Sequence, residues 1–448
     1  MAKPPATIES GPPSRLAGSA GATRRFFIGL AVLTAAGAAL RWAYIWFDRR
    51  HVEVFNDGFY YHHGANLLAD GQGFVNPFAF LLQGRAVDTA DHPPLYLLYL
   101  AVFSFLGLTS VTAHLFAGSL LGIGSIVVGG LAGRRIAGER VGLLGAALVA
   151  FGPNTWRYDG ALLSEVGVIF LVLVVVALAY RAWDLHQPGL LVVIGAVIGA
   201  ATLARPELLL LIPLLVVPLA WWSSELAVAR RVGWIVASGA ATLLVIAPWV
   251  AFNLARFDEP VLLSQNLGGT VAGSYCESTL EGPYIGYWDF NCAPRILDAA
   301  GITELGDERM DAVAREEGLR VARENLDRLP MVVAARLGRV AGVFRPLQQR
   351  DFDAETEGVS SWVATAGIVA VPITLVGAAA GAVVLRRRGR LVLPLLAPVA
   401  VVVVTVVVFY GATRFRSTAE GPLYLLAAVA VDAVWRRLGR DRGERTLT

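Results

Sequence analysis

The sequence predicts an all-α polytopic membrane protein with about ten to twelve transmembrane helices. Three observations carry that expectation. Of the 448 residues, 56% are apolar and 16% are charged, whereas soluble domains carry roughly a quarter charged residues. The mean hydropathy is +0.58. Apolar runs of about 20 residues recur along the chain, and most arginines lie between them. The same numbers exclude disordered, collagenous, coiled-coil and disulfide-scaffold chains. The net charge is only +3, and Lys3 is the sole lysine. Two cysteines are too few for a cysteine-based zinc site of ordinary ligand count. No basic face accompanies a soluble fold, so no nucleic-acid partner is expected.

Taken in order, residues 1–25 are rich in Pro, Gly, Ser and Ala and read as a disordered cytoplasmic leader ending at Arg24-Arg25. The run 26–47 is too long for a signal-peptide core and has no convincing cleavage site, so it is a retained span. Further spans are expected at 112–133, 140–152, 163–181, 189–204, 207–222, 232–252, 361–385, 391–410 and 418–434. The apolar stretch 94–108 starts at Pro93-Pro94 and is short, which predicts an interfacial or re-entrant helix in the first extracytoplasmic loop. Basic clusters stay inside, and Arg134-Arg135, Arg230-Arg231, Arg386-Arg387-Arg388 and Arg436-Arg437 satisfy that rule if 94–108 does not cross. The expected organisation is a leader at 1–25 and an N-terminal transmembrane catalytic module at 26–252, which holds the first outer loop, 48–93. A large extracytoplasmic loop follows at 253–360, then C-terminal transmembrane helices at 361–435 and a cytoplasmic tail at 436–448. The expected location is the cell membrane, multi-pass, with the active site extracytoplasmic.

The spans are almost free of ionisable groups, unlike the polar path that channels and ion-coupled transporters need. Charged residues collect instead at the outer ends of spans, next to lipid. That placement suits a substrate with a polar head and a membrane-embedded tail. Asp57 opens a helical pattern that places Tyr61, Ala65 and Leu68 on one face, ending at Asp70-Gly71. It can cap that helix or act as a base toward an attacking hydroxyl. His92, before the double proline, binds substrate or holds the loop. Glu165, at the start of a span, is a site acid or a helix-dipole partner. Asp159 precedes it in the same turn, and with Asp57 the three acids are a weak candidate for a divalent cation. No cofactor is otherwise implied. Arg205 and Glu207 flank Pro206 between two apolar runs, as a local ion pair or a substrate contact.

Arg414 and Arg416 fall in an outer turn, against the positive-inside bias. Planar guanidinium groups suit a phosphodiester, with Glu420 or lipid headgroups as the alternative partners. Cys276 and Cys292 both lie in the large loop, where oxidation persists, and a bridge between them would be worth about 3 kcal/mol. The aromatics Tyr275, Tyr284, Tyr287 and Trp288 stack on a sugar or pack the loop. Residues 330–346 read as an amphipathic segment lying on the membrane, with Arg336, Arg339 and Arg345 among apolar residues.

An ordered set of landmarks resembles the GT-C superfamily of integral-membrane glycosyltransferases. Within it the set is most similar to glycosyltransferase family 39 and the Rgt-like group, which includes protein O-mannosyltransferases and lipid A aminoarabinose transferases. The landmarks are Asp57 with Tyr60-Tyr61, then His92-Pro93-Pro94-Leu95-Tyr96, then Gly133-Arg134-Arg135-Ile136-Ala137-Gly138. Leu162-Leu163-Ser164-Glu165, Leu203-Ala204-Arg205-Pro206-Glu207 and Thr413-Arg414-Phe415-Arg416 complete it. The resemblance implies a polyprenyl-phosphate sugar donor, and transfer outside the cytoplasm to a lipid, glycan or protein acceptor. It implies Asp57 as general base, Glu165 as a second catalytic acid, and Arg414 and Arg416 as the donor-phosphate site. Arg205, His92, Tyr60, Tyr61 and Asp159 are the further expected substrate contacts. One departure is Asn56-Asp57, where protein O-mannosyltransferases show two adjacent acids. The alternatives are a ligase or polymerase of lipid-linked oligosaccharides and a transporter of polyprenyl-linked lipids.

Overall fold

A computed structural model describes residues 20–222, 226–304, 307 and 309–445. The expected leader lies largely outside the described residues; its end, 20–25, is already helical. The first helix, α1 (Ala20–Tyr44), runs on through a wider turn at Ile45–Arg49. Three short helices follow, α2 (Asn56–Ala69), α3 (Pro77–Gln83) and α4 (Leu95–Phe105). Then come α5 (Val111–Ala137), α6 (Glu139–Phe151), the single turn α7 (Pro153–Trp156), α8 (Glu165–Asp184) and α9 (Leu190–Thr202). A broken apolar segment passes through Pro206–Leu210 and Ile212–Val216 into α10 (Val217–Trp221), and α11 (Val228–Leu254) follows. The large loop folds as α12 (Leu267–Ser274), α13 (Glu277–Leu280), α14 (Cys292–Ala299), α15 (Arg309–Glu324), α16 (Leu329–Val340) and α17 (Pro346–Glu357). The chain closes with α18 (Ser361–Arg387), α19 (Leu393–Val408) and α20 (Ser417–Arg445). Among the described residues the only β pairing is one isolated bridge, Val75 with Asp88.

The protein is therefore an all-α integral membrane protein, as expected. Among the described residues five helices are long and apolar enough to cross a bilayer: Thr23–Arg49, Val111–Ala137, Glu165–Asp184, Val228–Leu254 and Ser361–Arg387. Of the other expected spans, 418–434 lies within the 29-residue α20, and the rest are helical but short. Helices α6 and α9 have 13 residues each, a rise of about 20 Å against a hydrocarbon core of about 30 Å. The segment from Pro206 breaks where Pro206, Pro213 and Pro218 remove backbone donors. Helix α4 has only 11 residues, which fits the interfacial reading of 94–108.

Small residues set the packing between spans, as expected where lipid supplies no hydrophobic drive. A Cβ on Gly142 of α6 would sit 2.7 Å from the Gly130 carbonyl of α5. On α11, the Thr242 hydroxyl donates to the Gly195 carbonyl of α9 at 2.8 Å. The first span departs from the charge-free expectation. Arg41 of α1 is wholly buried, donates to the carbonyls of Val149 and Ala150 at 3.0 and 2.9 Å, and pairs with Asp159 at 2.8 Å. It fastens α1 to the end of α6 and to the turn before α8.

The large loop has two small apolar cores, one around Ala272, Leu297 and Ala314 and one around Leu280, Ile285 and Val332. The Cys276–Cys292 disulfide is formed and ties the start of α13 to α14. The expectation for 330–346 needs correction. Arg336 and Arg339 are fully buried and turn into the protein. Arg336 donates to the carbonyls of Val407 and Ser274 at 2.8 and 3.0 Å, and Arg339 to that of Ile285 at 2.8 Å. A guanidinium has five donors, so it can knit several loop carbonyls at once. The segment is a clamp between the loop and α19, with Met331 and Val343 on its exposed side.

Candidate active site

Where the large loop meets the span ends, a cavity of about 860 Å³ opens. Asp57, His92, Arg205, Glu207, Arg414 and Glu357 are part of its charged wall; Leu262, Val404, Val408 and Phe409 are part of its apolar wall.

The charged wall is built around Arg414. A short turn, Thr413–Arg416, presents it between α19 and α20. Its Nη2 donates to Asp57 Oδ2 at 2.7 Å and its Nε to Glu165 Oε1 at 2.6 Å. One guanidinium thus bridges the first turn of α2 and the first turn of α8. Asp57 does not cap its own helix; it reaches out to Arg414. Its other oxygen faces His92 Nε2 at 3.5 Å. Asn56, in the left-handed region at φ 50°, donates its side-chain amide to the Thr356 carbonyl at 2.8 Å. A carboxylate could not make that bond, which is a local reason for Asn at this position.

Burial opposes ionisation of Asp57, but Arg414 and then His92 outweigh it and hold the carboxyl well below its ordinary range. For His92, burial is outweighed by the charge and hydrogen bond of Asp57, and its protonation shifts upward. The two rings Tyr60 and Tyr61 pack on His92, with centroids at 4.9 and 5.3 Å. Tyr61 lines the cavity; Tyr60 is buried behind it and hydrogen-bonds Thr89.

Several expected site residues stand elsewhere than the sequence implied. Glu165 is fully buried and does not reach the cavity; it also pairs with Arg205, so it holds two guanidinium groups rather than lining the cavity. Arg205 in turn holds Glu207 at 2.7 Å and lies 5.0 Å over the Phe415 ring. The expected Arg414/Arg416 pair does not form a joint grip. Arg416 points away, buried against Glu420 and the Val340 carbonyl, because two residues along this tight turn face opposite sides. Arg205 and Arg315 are the other guanidinium groups that line the cavity, and Arg205 is the one that shares Glu165 with Arg414. Asp159 is not in the cavity; it is sealed against Arg41.

A divalent cation does not fit the three acids weighed for it. The guanidinium of Arg414 already lies between Asp57 and Glu165, and Asp159 is occupied by Arg41. Among the described residues the one group of three potential donors is Cys276, Asp289 and Cys292, and both sulfurs are tied up in the disulfide.

The sequence reading missed a second cluster that sets the Arg414 turn. Fully buried Arg157 holds Asp353 at 3.0 Å and the Thr413 hydroxyl at 3.1 Å, and Thr413 donates to Asp353 at 2.7 Å. Glu357, on the same helix as Asp353, lines the cavity. Its signal was present: an acid just before a span, by the same logic that singled out Glu165.

No protein-family model matches the chain, and no curated protein matches it. Among solved structures it is similar to the oligosaccharyltransferase AglB of Archaeoglobus fulgidus. Against AglB in complex with an inhibitory peptide and a dolichol-phosphate, identity is 15% and the TM-score 0.55, covering 96% of this chain and 52% of that one. Against the apo form the values are 13%, 0.56, 96% and 53%. A weaker likeness, with TM-score 0.44 and 18% identity over 90% of this chain and 78% of that one, is to ArnT from Cupriavidus metallidurans bound to undecaprenyl phosphate. The chain spans about half the length of the oligosaccharyltransferases it matches. At these identities the likeness concerns the fold alone, which the chain shares with the oligosaccharyltransferase AglB.

Proposed function

We propose that the chain is a glycosyltransferase that moves a sugar from a polyprenyl-phosphate-linked donor to an acceptor hydroxyl at the extracytoplasmic face of the cell membrane. The observation that carries this reading is Arg414, shared at 2.7 and 2.6 Å between Asp57 and Glu165 on the wall of a half-apolar cavity. A single guanidinium with two carboxylate partners is poised to exchange one of them for a phosphate. The apolar wall suits the isoprenoid side of such a donor, and AglB, which shares the fold, is described with a dolichol-phosphate.

In this reading the donor phosphate docks on Arg414, with Arg205 beside it and Glu165 fixing both from behind. Docking draws Arg414 from Asp57 and brings a second negative charge near, and both changes make the Asp57 carboxylate a stronger base. Steadied by His92, Asp57 takes the proton as the acceptor oxygen bonds to the anomeric carbon. The bond from that carbon to the phosphate oxygen breaks, and polyprenyl phosphate leaves on Arg414, so an in-line path inverts the configuration. General-base help is typically worth about 10²–10⁴-fold. An oriented charge on the leaving oxygen adds about 10²–10³-fold.

The test is transfer from a synthetic polyprenyl-phosphate sugar to candidate acceptors by the purified protein, with the product read by mass. Addition of one sugar supports the monosaccharide transferase; a block of sugars supports the ligase or polymerase. Arg414→Glu should weaken donor binding far more than Arg414→Lys. Equal and small effects of the two substitutions would make Arg414 a structural residue and sink this reading.

A further inference from the structure

Asp353 and Glu357, one turn apart at the end of α17, are both buried and share one cation, Arg157. Their shares are unequal. Asp353 takes Arg157 Nη2 at 3.0 Å, the Thr413 hydroxyl at 2.7 and 2.8 Å, and the Gln349 amide at 3.0 Å. Glu357 meets the same guanidinium only at 3.5 Å. Two buried acids facing one guanidinium leave an uncompensated negative charge unless one keeps its proton. The donors crowd around Asp353, so Glu357 is the acid that keeps it.

We propose that Glu357 is a binding residue of this site, a neutral carboxylic acid whose O–H donates to an oxygen of the phosphodiester docked on Arg414 and whose ionisation turns that contact into repulsion. This rests on the reading of Arg414 as a lipid-phosphate site. Burial, then the like charge of Asp353, push Glu357 up to about 8 against the pull of Arg414 and Arg157. The other groups acting on it are Glu165 from α8, Tyr158 from the turn before it, Tyr287 from the large loop and Tyr410 just after α19. Burial moves all three tyrosines further from ionisation. Within this set Glu357 is the group that gains charge in mildly alkaline solution. His92, beside Asp57, loses its proton as pH rises, so the decisive quantity is a difference between wild type and variant.

The probe is farnesyl methyl phosphate, a diester whose single charge does not titrate in this range. Its binding to the full-length protein in detergent is followed from about pH 6.5 to 9.5. Wild type should lose affinity roughly tenfold more over that range than Glu357→Gln, which keeps a donor but cannot ionise. Glu357→Ala should bind roughly tenfold more weakly than wild type already near pH 7. Parallel curves for wild type and Glu357→Gln would overturn the proposal. Should Glu357→Gln not fold, wild type is compared on the neutral dimethyl phosphotriester, whose binding should fall much less with pH. An equal fall for both probes would overturn it. If the diester binds wild type, is lost in Arg414→Gln and ignores Glu357, this inference alone fails. If it does not bind wild type at any pH, the lipid-phosphate reading fails with it.

Discussion

Two arginines, Arg41 and Arg414, hold carboxylates at nearly the same distance, 2.8 Å to Asp159 and 2.7 Å to Asp57. Around Arg41 every other partner is a backbone carbonyl, of Gly37, Val149 and Ala150, and neither member of the pair has any exposed side-chain surface. Around Arg414 the partners are two side chains from different helices, and the side chain, which lines the cavity, is 16% exposed. A buried ion pair sealed by backbone locks helices together, because neither charge has anywhere else to go. A pair with one face on a cavity can trade a partner for a ligand. Access, rather than the ion pair itself, separates structure from site.

The largest expected effect lies on the accessible side. Asp57→Asn should lower transfer by about 10²–10⁴-fold, with the thermal midpoint nearly unchanged because Glu165 still holds Arg414. Near-normal turnover in that variant would remove Asp57 from the base role. On the sealed side, Asp159→Ala leaves Arg41 charged and unpaired in the bundle. It should cost about 3–5 kcal/mol of stability, read as a lower melting midpoint in detergent, while turnover per folded molecule changes little. Loss of turnover without loss of stability would move Asp159 to the site and erase the contrast. Arg205→Lys keeps the charge but loses the planar fork shared by Glu165 and Glu207. A rise in donor KM of roughly tenfold, with a smaller change in kcat, is expected.

The smallest effect concerns pH. Asp57 raises His92 above the ordinary imidazole value. The stability from this pair is therefore fully present below about pH 6.5 and is lost as pH climbs through the raised folded-state value. The pair is partly exposed, so the loss should stay under about 1 kcal/mol. Melting midpoints of wild type should decline more with rising pH than those of His92→Gln. Identical slopes would show that the pair contributes nothing to stability.

Much of the fold was legible because membrane spans write themselves as long apolar runs. The span at 361–385 and the loop at 253–360 correspond to α18 and to the helices α12 to α17. That 94–108 would hold only a short helix was readable from its length alone. The inward turn of Arg336 and Arg339 was not, because an amphipathic pattern says that two faces differ but not which one meets protein. Arg416 failed for a related reason. Spacing of two along an outer turn looks like a pair, yet the tight turn sends Arg414 to the cavity and Arg416 to Glu420. Asp57 and Glu165 read as catalytic acids and Asp159 as a substrate contact, since each sits near a span end where a charge is costly; of the three only Asp57 lines the cavity.

The sequence alone determined that this chain enters a membrane in many helices, that its charges gather at span ends, and that Cys276 and Cys292 are available to each other in one loop. Those properties follow from local composition and need no partner. Only the tertiary structure decided that Arg414 would bridge Asp57 and Glu165, residues 357 and 249 positions away, while Arg41 took Asp159. Pairing between distant charges depends on which helix ends meet and which of them water can reach, and neither quantity is written in any one stretch of chain.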